Sequence, residues 1–311
     1  MSAVDKPSLS EGDKPSSDKD SSGKKSYLND NKKDNPNLEI PDDWEYIKTD
    51  GFGPFITKVV FRNSQGELIH WESRFYRKHN KELEISTGST WWAPGSTTWW
   101  IGILFAIGSF LFALGSIPSY FKYIGVNLDG LTFFVGSIFF TSAAYLQYLE
   151  SANAPRKILN NIKNKLYFIF WQPKRIDWWS TLIQLIGTVF FNFSTFNAIR
   201  YTSVDQIDKL VWSPDVYGSI CFLVASLLAW WEVSHAFWSL NVHKISWWIA
   251  FLNLLGSIAF GISAIGAYVL PSTGLPKNEL MVNLGTFIGA ACFLIGGILL
   301  LPERTLENNG N

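Results

Sequence analysis

The sequence is poor in cysteine, methionine and histidine, with two, two and four among 311 residues. Two cysteines exclude a disulfide scaffold. Net charge is also missing: 26 basic residues balance 26 acidic ones, which removes the electrostatic footprint of a nucleic-acid binder. Charge is scarce after the first third of the chain. Residues 1–98 carry 14 Lys and Arg and 16 Asp and Glu, whereas residues 99–311 carry only 12 and 10. So few charges over so long a stretch exclude an ordinary soluble domain. No apolar run precedes residue 99. A cleaved secretory signal is therefore not expected, and the first span is expected to act as an uncleaved insertion signal.

Long apolar runs fill the space that charge leaves. Six stretches approach or exceed the ~20 residues that a helix needs to cross a bilayer: 99–117, 131–149, 178–199, 216–237, 247–270 and 280–301. Each is about twice the length of a membrane strand and none alternates polar with apolar, so helices are expected. An even number of spans puts both termini on one side. That side has eight Lys and Arg in its short loops and ends, six of them between the second and third spans, against four on the other. The positive-inside rule then places both termini in the cytoplasm of a multi-pass cell-membrane protein.

The apolar region repeats itself. Ten of the fifteen tryptophans occur as adjacent pairs. Trp99-Trp100, Trp178-Trp179 and Trp247-Trp248 each open an odd-numbered span. In each case a glycine follows eight residues after the second tryptophan: Gly108, Gly187 and Gly256, each succeeded by a hydroxyl residue. In the even spans Gly136 precedes Glu150 by 14 residues, and Gly218 precedes Glu232 by the same 14. In the last span Gly285-Thr286 fits the start, but Glu303 then lies four residues too far. These offsets predict three tandem helical hairpins around a pseudo-threefold axis along the membrane normal. The tryptophans suit the headgroup level, and the glycines suit close helix contacts.

Before the spans lie two unlike pieces. Residues 1–40 are polar and are expected to be a disordered tail. Residues 41–90 contain an alternating run from Phe55 to Phe61, a turn at Asn63-Ser64-Gln65-Gly66, and a return strand over 68–77. These predict a small cytosolic β-hairpin that leans on the membrane or the bundle. Arg74, Arg77, Lys78, His79 and Lys81 form a basic edge, read as attracted to anionic lipid. Residues 158–166 read as a short basic helix lying on the cytoplasmic leaflet, a second anionic-lipid contact. The membrane domain occupies 91–301, and 302–311 is a C-terminal tail.

Candidate chemistry is sparse. No Walker A loop, nucleophile elbow, His-Glu-x-x-His or Cys-x-x-Cys motif is present, so no catalytic or metal-binding set is assigned and no cofactor is expected. Glu232 and His235 lie three apart on one expected helix, as in di-iron carboxylate bundles, but no second pair accompanies them. Gln184 and Asn253 share one repeat position, and Asn192 is a further amide within a span; these are either interhelical glue or the lining of a polar path. Glu150, Glu232 and Glu303 are expected to form an acidic set at the cytoplasmic face, with Glu232 the most buried. Cys221 and Cys292 read as small apolar fillers.

Two blocks carry a resemblance: Ile107-Gly108-Ser109-Phe110-Leu111-Phe112-Ala113-Leu114-Gly115-Ser116 and Asp129-Gly130-Leu131-Thr132-Phe133-Phe134-Val135-Gly136-Ser137. Over residues 107–149 the chain resembles the YrhK-like membrane family, whose hairpins have similar Gly-Ser-aromatic runs. Trp71-Glu72-Ser73-Arg74, with Arg77-Lys78, is similar to the segments that precede such hairpins. The resemblance implies a small helical-hairpin membrane fold and implies no activity. The resulting reading is an all-α integral membrane protein of six transmembrane helices, structural or sensory. A transporter or channel for a small solute or cation is the alternative, and a membrane metalloenzyme the second alternative. The expected partner is the lipid bilayer, not nucleic acid.

Overall fold

The structure, a computed structural model, describes residues 41, 43–78, 91–154, 168–169, 171–200, 203–237 and 239–303. The expected tail (1–40), the interfacial helix (158–166), His79 and Lys81 lie outside the described residues.

The N-terminal element is a three-stranded antiparallel sheet in the order β1 (Glu45–Phe52), β2 (Phe55–Arg62), β3 (Leu68–Glu72). Alternation on β2 places Val59 and Phe61 in a small core with Trp44, Tyr46 and Trp71. The expected hairpin thus gains a strand. The return strand also ends five residues early: Ser73–Lys78 is a helix, α1. On a strand Arg74 and Arg77 would point to opposite faces, whereas on a helix positions 74, 77 and 78 share one.

Six long helices follow: α2 (Thr97–Gly115), α4 (Val126–Ala152), α5 (Ile176–Ala198), α7 (Ser213–Ser234), α8 (Ile245–Gly266) and α9 (Glu279–Leu299). A short helix, α3 (Pro118–Ile124), links α2 to α4. Another, α6 (Val204–Ile207), runs through a π-helical turn at Asp208–Trp212 into α7. Each long helix packs on two neighbours, which closes a ring in the order α2, α4, α5, α7, α8, α9 and back to α2. Five helices are long and apolar enough to cross a membrane: α2, α4, the continuous run Val204–Ser234, α8 and α9. α5 is 23 residues long but more polar, with Asp177, Ser180, Thr181, Gln184, Thr188, Asn192, Ser194 and Thr195 along it. The outer faces expose large apolar side chains such as Phe110, Ile138, Phe193, Ile220, Ile262 and Leu284, more than a water-facing surface of this size presents.

The middle of the ring is filled by phenylalanine. Phe112, Phe191 and Phe260, on α2, α5 and α8, contact one another with ring centroids 6.1–6.5 Å apart. Phe140, Phe222 and Phe293, on α4, α7 and α9, form a second triangle with centroids 5.6–6.2 Å apart. The pairs 112/140, 191/222 and 260/293 join the triangles at 5.1–5.7 Å. The result is a trigonal prism of rings, mostly edge-to-face, the arrangement that the aromatic quadrupole favours.

Glycine makes the prism possible. A Cβ on Gly108 would lie 2.9 Å from the Gly136 carbonyl oxygen and from the Phe140 ring; one on Gly136 would lie 2.8 Å from Phe112. Gly187 and Gly218 repeat this against Phe222 and Phe191, and Gly256 and Gly289 against Phe293 and Phe260. Each phenylalanine lies four residues past its glycine and crosses over the partner's glycine. The even-helix glycine of the last pair is therefore Gly289 and not Gly285. The crossing requires a missing Cβ, and the hydroxyl neighbour that favoured Gly285 is not part of it. With Gly289 as origin, Glu303 falls 14 residues on, in step with Glu150 and Glu232.

Replacing Gly108, Gly187 or Gly256 by Leu is expected to overpack its crossing and to lower stability by ~1–3 kcal/mol each in detergent unfolding. Unchanged unfolding midpoints for all three would contradict the crossing geometry.

Candidate functional site

The ends of α4, α7 and α9 meet the starts of α2, α5 and α8 at one end of the ring, and α1 sits in that mouth. Its three cations each take one of the three equivalent carboxylates. The Lys78 ammonium donates to Glu150 Oε2 at 2.6 Å. Arg77 donates through both terminal nitrogens to Glu232, at 2.8 and 3.2 Å. Arg74 Nε donates to Glu303 Oε1 at 2.7 Å. Ser73 adds a hydroxyl donor to Glu232 at 2.8 Å. Glu150, Glu232 and Glu303 thus lie in one mouth, each closed by a basic partner. The side chains of Arg77, Lys78, Glu232 and Glu303 are all at most 4% exposed. Glu303, at 0%, is more buried than Glu232, at 2%, which corrects the expected ranking. The basic edge likewise does not face lipid at Arg74, Arg77 and Lys78: an unpaired carboxylate in this mouth would cost several kcal/mol, and α1 supplies the counter-charges.

A fourth carboxylate joins them. Asp177 lies 2.8 Å from Arg77, accepts from Ser151 at 2.9 Å and pairs with Arg175. Arg175 also donates to Gln172 at 2.7 Å. Sequence reasoning missed Asp177. Its signal was positional, since it directly precedes a tryptophan pair, as Thr98 does. Thr98 also turns into the mouth and donates to Glu150.

The sheet is fixed by a second, shallower set of contacts. Glu72 accepts from Lys58 at 3.0 Å and from Lys244 at 2.7 Å. Phe52 stacks on Trp231 with centroids 4.0 Å apart. His235 Nδ1 and Thr57 Oγ1 are 2.9 Å apart. His235 is not on the helix with Glu232: α7 ends at Ser234, and His235 adopts a left-handed conformation, φ 54°. The expected shared face is absent, and both Glu232 oxygens are taken by Arg77 and Ser73. Among the described residues no cluster of three His, Cys, Asp or Glu is arranged to hold a metal.

Three of the tryptophan pairs also make loop contacts. The second indole N–H of each pair bonds the carbonyl six residues earlier: Trp100 to Pro94, Trp179 to Pro173 and Trp248 to Val242, at 2.9–3.0 Å. They tie the loop before each hairpin to its helix.

The amides separate. Asn192 donates to Thr141 across α5 and α4 at 2.8 Å and is interhelical glue. Gln184 and Asn253 instead line a cavity of about 30 Å³, together with Gln147, between the phenylalanine prism and the cations Arg74 and Lys78. Cys292 is buried and Cys221 half-buried, both against helix neighbours.

The chain matches no protein-family model, and neither a curated protein nor a solved structure matches it.

Burial raises the affinity of Glu303 and Glu72 for protons, but their partners outweigh it. Arg74 holds Glu303 below the usual carboxylate range, and His235, Lys244 and Lys58 beside Glu72 hold its carboxyl well below it. A depressed folded pKa means that the stabilisation is complete above the unfolded value of about 4.3 and is lost as pH falls below it. Denaturant midpoints are expected to fall between about pH 5 and pH 3, and Glu303→Gln is expected to flatten that fall. An acid profile that Glu303→Gln leaves unchanged would contradict the Glu303–Arg74 assignment.

Proposed function

We propose that this chain is a non-enzymatic, multi-pass membrane protein with a structural or sensory role, in which the sheet and α1 form a cytosolic element docked on the bundle mouth. In this reading α5 is the sixth span, and α2/α4, α5/α7 and α8/α9 are three tandem membrane hairpins. The recurrent glycine–phenylalanine crossings and the recurrent carboxylates support that count. Both termini face the cytoplasm of the cell membrane, as the Lys and Arg distribution favours. The basic segment between α4 and α5 contacts anionic lipid. The likeness to YrhK-like hairpins falls on α2 and α4, and we propose that kinship on the strength of those residues.

One observation carries the choice of a structural or sensory role. Between the phenylalanine prism and α1 lies a cavity of about 30 Å³, and among the described residues each mouth carboxylate has a cationic partner. A conducting path would need both the rings and α1 to move. The transporter reading keeps one favourable feature, the amides Gln184 and Asn253 on that cavity. Flux of a panel of cations and protons into proteoliposomes separates the two. We expect no flux from the wild type or from a normally folded Glu232→Gln variant. Flux that the substitution alters would replace this reading with transport.

A further inference from the structure

The cavity beneath α1 has a composition that its neighbours do not explain. Its volume of about 30 Å³ is roughly two to three times what one water needs, so it admits one or two atoms of that size and no polyatomic oxyanion. Its polar lining is rich in spare donors. Arg74 spends Nε on Glu303, which leaves both terminal nitrogens without a partner among the described residues. Lys78 spends one of three ammonium hydrogens on Glu150. Gln147, Gln184 and Asn253, from three different helices, bring carboxamides that make no side-chain hydrogen bond among the described residues. Gln184 is only 9% exposed. No carboxylate lines the cavity, although four lie in the mouth around it. Phe105, Phe222 and Phe293 also line the cavity.

We propose that this cavity is a binding site for a single small monovalent anion of halide size, held by Arg74, Lys78 and the carboxamides of Gln147, Gln184 and Asn253. Such an anion accepts from the spare donors and ties α1 to three helices at once. Docking of the N-terminal element then depends on the anion. The size of the cavity sets the specificity: chloride and bromide fit, whereas sulfate, phosphate and gluconate do not.

The full chain purified in detergent tests this. Thermal unfolding at constant ionic strength is expected to rise saturably when gluconate is replaced by chloride or bromide, and crystals grown in bromide are expected to show anomalous scattering inside the cavity. Gln184→Leu and Asn253→Leu should each raise the half-saturating chloride concentration at least tenfold. If either variant does not fold, the wild-type bromide signal decides alone. Cavity density without anomalous signal means water only and overturns the proposal, as does unfolding that is equal in chloride and gluconate. Neither result depends on whether the bundle conducts.

Discussion

The arrangement depends on a buried charge that has nowhere else to go. Three helices each deliver a glutamate to the same end of a ring whose middle is aromatic and whose outside is apolar. Left alone, Glu150, Glu232 and Glu303 would repel one another and would each be stripped of water. A helix of six residues supplies Lys78, Arg77 and Arg74 at the spacing that brings them to one face. The position of the sheet follows, since β3 runs directly into that helix. The contacts of Glu72, Phe52 and His235 then orient an element already tethered by its charges. By itself such a small sheet, with five residues in its core, would be marginal in water.

Beneath the charges the constraint is steric. Six glycines bring the paired helices close enough for each phenylalanine to cross its partner's backbone, and the six rings fill the axis as a prism. Interiors packed at this density do not deform gradually. A bundle built this way is a socket for the N-terminal element, and the cavity between the two is lined by carboxamides that make no side-chain hydrogen bond among the described residues.

The sequence carried much of this in its offsets. The eight-residue step from tryptophan to glycine, and the fourteen-residue step from glycine to glutamate, mark the crossings and the mouth. The register of the last hairpin is ambiguous in the sequence because α9 offers Gly285 and Gly289 one turn apart, and the hydroxyl beside Gly285 imitates the pattern. β1 was hidden because Glu45, Lys48, Thr49 and Asp50 leave it little apolar alternation. α1 reads as strand because the residues leading to Glu72 alternate, and only the destination of its cations makes the helix necessary. The pairing of Arg74, Arg77 and Lys78 with carboxylates more than 70 residues away left no local trace. His235 could not be separated from Glu232 by spacing, since a left-handed residue other than glycine is uncommon and has no sequence signature here.

The central claim is that α1 is held by these pairs, and a double-mutant cycle on Arg77 and Glu232 measures it most directly. Both side chains are at most 3% exposed, so Arg77→Met alone leaves Glu232 as an uncompensated buried charge and is expected to cost about 3–5 kcal/mol, whereas Glu232→Leu leaves Arg77 with Asp177 as its carboxylate partner and is expected to cost less. Together they remove the pair, and the account predicts a combined loss smaller than the sum by at least about 2 kcal/mol. Losses that add to within about 0.5 kcal/mol would show that the two residues do not depend on each other, and would contradict it.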